Sequence, residues 1–148
     1  MNLGTTSSGF TVWFTGMSGA GKSTLAQGLA NRLRRLGKIV DVLDGLEVEQ
    51  MLGVGRAGTK DERNAEARKL AWVCRLVTRG GGIVFQSAIE SPYRETREEA
   101  RRQIGRFAEV FVECPTETLI QRDRTGRYKR ALAGELKTLV GITEPYEP

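Results

Sequence analysis

The sequence predicts an α/β fold in which a mostly parallel sheet lies between two layers of helices. Three observations carry that expectation. Short apolar runs, at Phe10 to Thr15, Lys38 to Leu43, Ile83 to Ile89 and Ala108 to Cys114, alternate with longer segments of helical periodicity. Glycines and polar residues cluster where each apolar run ends, as at Gly16, Asp44-Gly45 and Ser87. The chain of 148 residues is of a length that one such domain fills.

The first run leads into the stretch that organises the rest. FTVWFTGMSGAGKST, Phe10 to Thr24, places Gly16, Gly21, Lys22 and Ser23 at the spacing G-x-x-x-x-G-K-[ST], and LAQGLANRLRRLG behind it is helical. Backbone N–H groups of such a glycine-rich turn point inward and form an anion nest, and the helix that begins there adds its positive dipole end. A phosphate loop over residues 16–24 therefore makes the fold a P-loop NTPase. Gly16, Ser18, Gly19, Ala20, Gly21, Lys22, Ser23 and Thr24 are the candidate nucleotide-binding residues. Lys22 reaches the β- and γ-phosphates as a point charge, and Ser23 puts its hydroxyl on Mg²⁺.

The second run ends in Asp44. In a parallel sheet with helical crossovers the strand ends line up along one edge, which sets Asp44 near the phosphates. It can hold a water of the Mg²⁺ shell or accept a proton from an attacking hydroxyl, or it is a polar turn or helix cap. LEVEQMLGVGRAG, Leu46 to Gly58, begins as a short helix and loosens into glycines. A clear helix follows over Lys60 to Arg79, with Ala67, Leu70, Ala71, Cys74 and Val77 on one face. Arg63 stands at its amino-terminal end, where the dipole disfavours a lone cation. A bound anion explains it, and so does a solvated surface position.

Gly80-Gly81-Gly82 ends that helix. Beyond the third run, Pro92 is expected as the first residue of a helix to Phe107, with Ser91 as its cap and Glu95 in its first turn. The charges of that helix read as a solvated face. Pro115 to Arg122 reads as a short helix, and residues 122–134 as a basic, lid-like segment in which Arg122, Arg124, Arg127, Lys129 and Arg130 are candidates for phosphate contact. LKTLVGITEPYEP has turn chemistry without a terminal strand or helix.

The net charge of +5, with no histidine, points to polyanionic ligands and to chemistry run by carboxylates, Lys, Arg and a bound cation. Basic residues are spread over several helices with no aromatic-interleaved strand, which favours a small phosphorylated ligand over nucleic acid. Cys74 and Cys114 are too few for a disulfide framework and read as free thiols in a reducing compartment. No apolar stretch approaches a membrane span, and MNLGTTSSG lacks the regions of a secretory signal. A cytoplasmic protein of one domain, 1–148, is the expectation.

Set in order, the motifs resemble the adenylylsulfate (APS) kinase family. The matching runs are FTGMSGAGKSTLA, LDG at Leu43 to Gly45, Glu62-Arg63, SPYRETREEAR from Ser91 to Arg101, and EVFVECP from Glu109 to Pro115. QRDRTGRYKRALAGELK from Gln121 to Lys137 and GITEPYEP complete the set. The resemblance implies an ATP- and Mg²⁺-dependent kinase that phosphorylates the 3′-hydroxyl of adenosine 5′-phosphosulfate, commonly as a homodimer. It implies catalytic roles for Lys22, Asp44 and Ser91, the last matching a serine known in the family as a phosphoserine. It implies metal ligation at Ser23 and Asp44, nucleotide contact at Arg122, and substrate contacts at Arg63, Ser91, Pro92, Tyr93, Arg94, Lys129, Gly141 and Ile142. The departures fall on the acceptor side: Leu46 replaces an acid, Glu49 an arginine, Gly58 and Leu139 two aromatic positions, Glu66 an asparagine, Glu90 an isoleucine and Thr125 a lysine. A different hydroxyl acceptor, or a nucleotide-binding protein without turnover, are the competing implications.

Overall fold

A computed structural model describes residues 9–148. The reading of the first residues as lacking a signal falls mainly on residues 1–8, outside that range. Four strands, β1 (Phe10–Thr15), β2 (Val40–Leu43), β3 (Ile83–Gln86) and β4 (Phe107–Phe111), form one wholly parallel sheet in the order β2-β3-β1-β4. Every connection is a helical crossover, as parallel pairing requires. The helices are α1 (Lys22–Arg35), α2 (Gly45–Leu52), α3 (Lys60–Arg79), α4 (Arg94–Ile104), α5 (Thr116–Arg122) and α6 (Arg127–Leu132).

Alternation along the strands divides the core in two. Val12, Phe14 and Phe85 meet Ala26 and Ala30 of α1 together with Leu119, Tyr128 and Ala131. Trp13 and Val84 face the other way, onto Ala67, Leu70, Ala71 and Cys74 of α3 and Ala100 and Ile104 of α4. The three-layer architecture is thus present, with small residues on α1 letting that helix lie close to the sheet. Burial pushes the Cys74 thiol up to about 12, which leaves it an unreactive packing group.

The boundary of α3 agrees with the pattern, because a capping box fixes it. The Glu62 N–H donates to Thr59 Oγ1 at 3.2 Å and the Thr59 N–H to Glu62 Oε2 at 3.1 Å. The same interaction lowers the Glu62 carboxyl, chiefly through hydrogen bonds from the Gly58 and Thr59 N–H groups. Other boundaries differ: the second strand begins at Val40 rather than Lys38, the fourth spans Phe107–Phe111 rather than Ala108 to Cys114, and the helix expected to reach Phe107 ends at Ile104. The third strand stops at Gln86, since the chain turns back and Ile89 N–H donates to the Gln86 side chain at 3.1 Å. The helix expected from Pro92 begins at Arg94, and Ser91 does not cap it. Ser91 is the one non-glycine with positive φ among the described residues, at 50°, and its hydroxyl accepts from the Trp13 indole at 3.0 Å. Glu147, from the far end of the chain, takes the Arg94 N–H at 2.8 Å instead.

The charged face of α4 is also less solvated than its composition implies. Arg97 is 2% exposed; its guanidinium pairs with Glu109 on β4 and donates to the Ser91 carbonyl at 2.7 Å and to the Glu147 carbonyl. Glu109 is shared with Arg101 at 3.1 Å. One buried cation therefore ties α4, β4, the turn after β3 and the C-terminal segment together. Removing it takes a donor from two carbonyls and leaves Glu109 with Arg101 as its remaining cation, a loss of about 3 kcal/mol or more. Arg97→Ala is expected to lower unfolding free energy by that amount in urea titration, and a change below about 1 kcal/mol would contradict this role.

Candidate functional site

The parallel register brings strand ends level on one edge. Gln86 lies opposite both Trp13 of β1 and Leu43 of β2. Beyond the strands the ladder continues in the loops: Ser87 N–H donates to the Leu43 carbonyl at 3.2 Å, and Gly16 N–H to the Glu90 carbonyl at 3.2 Å. The loop after β1 and the turn after β3 are thereby held side by side, with Asp44 at the end of β2.

Between them lies a cavity of about 400 Å³, lined by Ser18, Gly19, Gly21, Lys22, Ser23 and Thr24 on one wall and by Asp44, Glu49, Ser87, Glu90 and Arg127 opposite. Gly21 precedes α1 in a left-handed conformation, φ 110°, so the first N–H groups of the helix open toward this cavity without a side-chain cap. Nothing stands within 4 Å of where a Cβ on Gly21 would lie. Conformation and open space together fit a backbone that a ligand approaches closely.

Lys22 is 8% exposed, and its ammonium donates to the Gly16 and Met17 carbonyls at 2.9 and 3.0 Å. Burial lowers its pKa, while the negative charges of Glu90 and Asp44 oppose that shift. A cation held under tension between desolvation and distant carboxylates is suited to a polyanion that would give it closer charge. Asp44 stands at the start of α2 in extended conformation and makes no side-chain cap bond, so its carboxylate is spared for the cavity. With Ser23 it supplies the hard oxygen donors that magnesium takes. The residues present fit that ion.

The lid-like segment is folded down. Tyr128 of α6 donates its hydroxyl to the Ser18 carbonyl, and Asp123 accepts from Tyr128 N–H at 2.8 Å and from Thr125. Burial, ahead of the Glu90 charge, pushes the Tyr128 phenol up to about 12. A second cavity of about 310 Å³ adjoins the first and is lined by Ser18, Gly19, Arg122, Arg124, Thr125 and Arg127 among others. Ala20, Thr24 and Arg122 also flank a third hollow with Cys114. Lys129 is exposed and lines none of these.

A further cavity of about 190 Å³ shares Gly55, Glu90 and Arg127 with the first and adds Arg56, Gly58, Arg63, Glu66 and Leu139. Arg63 is neither free nor solvated: it donates to Glu144 at 2.8 Å and to the Thr138 carbonyl at 3.1 Å, with Glu90 3.9 Å away. Glu66 accepts the Arg56 N–H at 3.1 Å. Of the other candidates, Pro92, Tyr93 and Arg94 hold the C-terminal segment. The Pro92 carbonyl accepts Glu147 N–H, Tyr93 donates to Glu144 at 3.4 Å, and Arg94 binds Glu147 and Pro148. Ile142 packs on the core and Gly141 sits over Met17 of the phosphate loop. Ser91 points at Trp13, away from the cavity wall. Ser87, Arg56 and the junction position of Glu90 belong to no sequence motif, although Ser87 stands at the end of an apolar run.

A family model described as adenylylsulphate kinase matches residues 8–148. The adenylyl-sulfate kinase of Gloeothece citriformis is 51% identical over 140 residues, covering 95% of this chain and 79% of that protein. The solved Mycobacterium tuberculosis APS kinase CysC in complex with AMPPNP and APS is 35% identical, with a TM-score of 0.86 over 97% of this chain and 84% of that one. The hexameric APS kinase from Thiobacillus denitrificans is 37% identical, with a TM-score of 0.63 over 74% of this chain and 24% of that one.

Gly141 couples the C-terminal segment to the phosphate loop. A Cβ there would lie 2.2 Å from Met17 Cε, and φ is 87°. Gly141→Ala is expected to cost about 1–2 kcal/mol of stability and to weaken ADP binding, read by thermal melts and calorimetry. Wild-type values in both would refute the coupling.

Proposed function

Because the chain belongs to the adenylyl-sulfate kinase family, we propose that it transfers the γ-phosphoryl group of ATP to the 3′-hydroxyl of adenosine 5′-phosphosulfate. The observation that carries this reading is the convergence of Lys22, Ser23 and Asp44 on one cavity beside the open start of α1. The triphosphate lies along the amides of residues 16–24, where the helix dipole and nest favour negative charge. Lys22 leaves its two carbonyl partners for the phosphates. Ser23 and Asp44 would hold magnesium, which would supply neutralising charge to the transferred phosphoryl group.

The acceptor oxygen forms the new bond to the γ-phosphorus as the bond to the β–γ bridging oxygen breaks, and ADP leaves with that electron pair. The hydroxyl proton passes to the carboxylate of Asp44. Arg127, which borders both the nucleotide and acceptor cavities, and Arg122 lie where they can meet transferred charge. Arg63, Arg56 and Gly58 line the acceptor hollow, while Glu49, in place of the arginine expected from the resemblance, lines the adjoining cavity. Ser91, Pro92, Tyr93 and Arg94 act by bracing the walls, and Gly141 and Ile142 by seating the C-terminal segment. Lys129 has no assigned contact.

A second reading rests on the acidic groups Glu49, Glu66 and Glu90 at these two cavities: the same ATP chemistry on a less anionic hydroxyl acceptor. We also propose self-association, as the name of the hexameric relative suggests, and residence in a reducing compartment such as the cytoplasm, which suits two free thiols. Among the described residues no helix is long and apolar enough to cross a membrane.

Lys22→Ala is expected to cut phosphoryl transfer by at least roughly 10²–10³-fold, since it deletes a preorganised charge on the transferred group; wild-type-like turnover would refute the site. Titration of adenosine 5′-phosphosulfate into the ADP-loaded protein is expected to show saturable one-site binding. Absence of binding, with ATP still consumed slowly, would favour the second reading.

A further inference from the structure

Ser87 Oγ is the one buried side-chain nitrogen or oxygen among the described residues with no hydrogen-bond partner. The residue is 3% exposed, yet it lines the 400 Å³ cavity together with Lys22, Ser23 and Asp44. Its backbone is fixed: the N–H donates to the Leu43 carbonyl, so Ser87 and Asp44 stand side by side at the ends of β3 and β2. Neighbouring polar groups do not compete for its hydroxyl. Gln86 spends its amide on the Phe14 carbonyl and the Ile89 N–H, and Thr15 spends its hydroxyl on the Glu90 and Ser91 carbonyls and Tyr146.

An unpaired buried hydroxyl costs about 1–3 kcal/mol, and native proteins keep such groups where a ligand, ion or water completes them. The missing partner can be specified from the chemistry of the cavity. Magnesium at phosphate sites binds through one or two protein groups and phosphate oxygens and retains several waters. Those waters, polarised by the ion, present their hydrogens outward and need acceptors on the surrounding wall. Asp44 is one such acceptor, and Ser87 is its neighbour.

We infer that Ser87 Oγ accepts a hydrogen bond from a water of the magnesium shell and is a positioning residue of the metal–nucleotide site. This rests on the nucleotide reading above, and adds to it a wall residue that the motif does not contain. Its action is through the metal's water, so it affects how strongly magnesium enhances nucleotide binding rather than nucleotide binding itself.

The test is calorimetric titration of ADP into wild-type protein and Ser87→Ala, each with EDTA and with excess Mg²⁺. Affinity in EDTA is expected to be the same in both, while the enhancement by Mg²⁺ falls roughly fivefold or more in Ser87→Ala, the effect of one lost hydrogen bond at a charged centre. Ser87→Thr, which keeps a hydroxyl, is expected to retain the enhancement. The melting temperature of the ligand-free Ser87→Ala protein is expected not to fall, because no internal bond is lost. An unchanged enhancement in Ser87→Ala overturns the inference, as does an equal weakening with and without Mg²⁺, equal behaviour of the Ala and Thr variants, or a lower melting temperature of several degrees. Failure of the wild-type protein to bind ADP in either medium would instead remove the nucleotide site itself.

Discussion

The register between β1, β2 and β3 is the constraint on which the site depends. Parallel pairing sets Trp13, Gln86 and Leu43 in one row, so the chain leaves all three strands on the same side. A one-residue slip in any strand would turn its apolar side chains out of the core and carry its exit loop away from the others. The loop bonds from Ser87 to Leu43 and from Gly16 to Glu90 extend that order past the strands. What the sheet fixes by burying Val12, Phe14 and Phe85 on one face and Trp13 and Val84 on the other is therefore the spacing between a phosphate loop and an acid.

The C-terminal segment gives the edge a second restraint. Tyr146 shares a hydrogen bond with Thr15 at the end of β1 and stacks on Phe111 of β4. Glu144 holds Arg63 at the start of α3, and Glu147 holds the start of α4. Three loops at this edge are tied to the segment over residues 139–148. Its first half closes on itself, with the Ile142, Thr143 and Glu144 N–H groups donating to the Leu139 carbonyl, and its last residues are held by the partners they serve. The segment joins the phosphate loop to the start of α3, because Met17 and Arg63 both touch it.

Much of this was legible in the residues, for a physical reason. The phosphate loop and its helix, the span of α3 and the placement of Asp44 each depend on local chemistry: glycine at positive φ, a capping box, an acid at a strand end. The features that escaped depend on partners far away in the chain. Ser91 reads as a cap by its spacing from Pro92, but Trp13 claims its hydroxyl and Glu147 serves the helix instead. Arg97 reads as solvated because its partners Glu109 and Glu147 come from other elements. At Arg63 the sequence fits either a bound anion or solvent, and the guanidinium also meets the Glu144 carboxylate, 81 residues downstream. Ser87 gave no signal beyond its place at the end of an apolar run, since an unsatisfied hydroxyl is visible only once everything around it is placed.

As proposed, one cavity couples the amides of the phosphate loop to the ends of β2 and β3 when it takes a magnesium nucleotide. Backbone amide shifts, followed by NMR through a titration with a non-hydrolysable MgATP analogue, test this most directly. Amides of residues 16–24 and those of residues 44–45 and 87–90 are expected to move together along one saturation curve. Movement of the first set alone, or of neither, would contradict it.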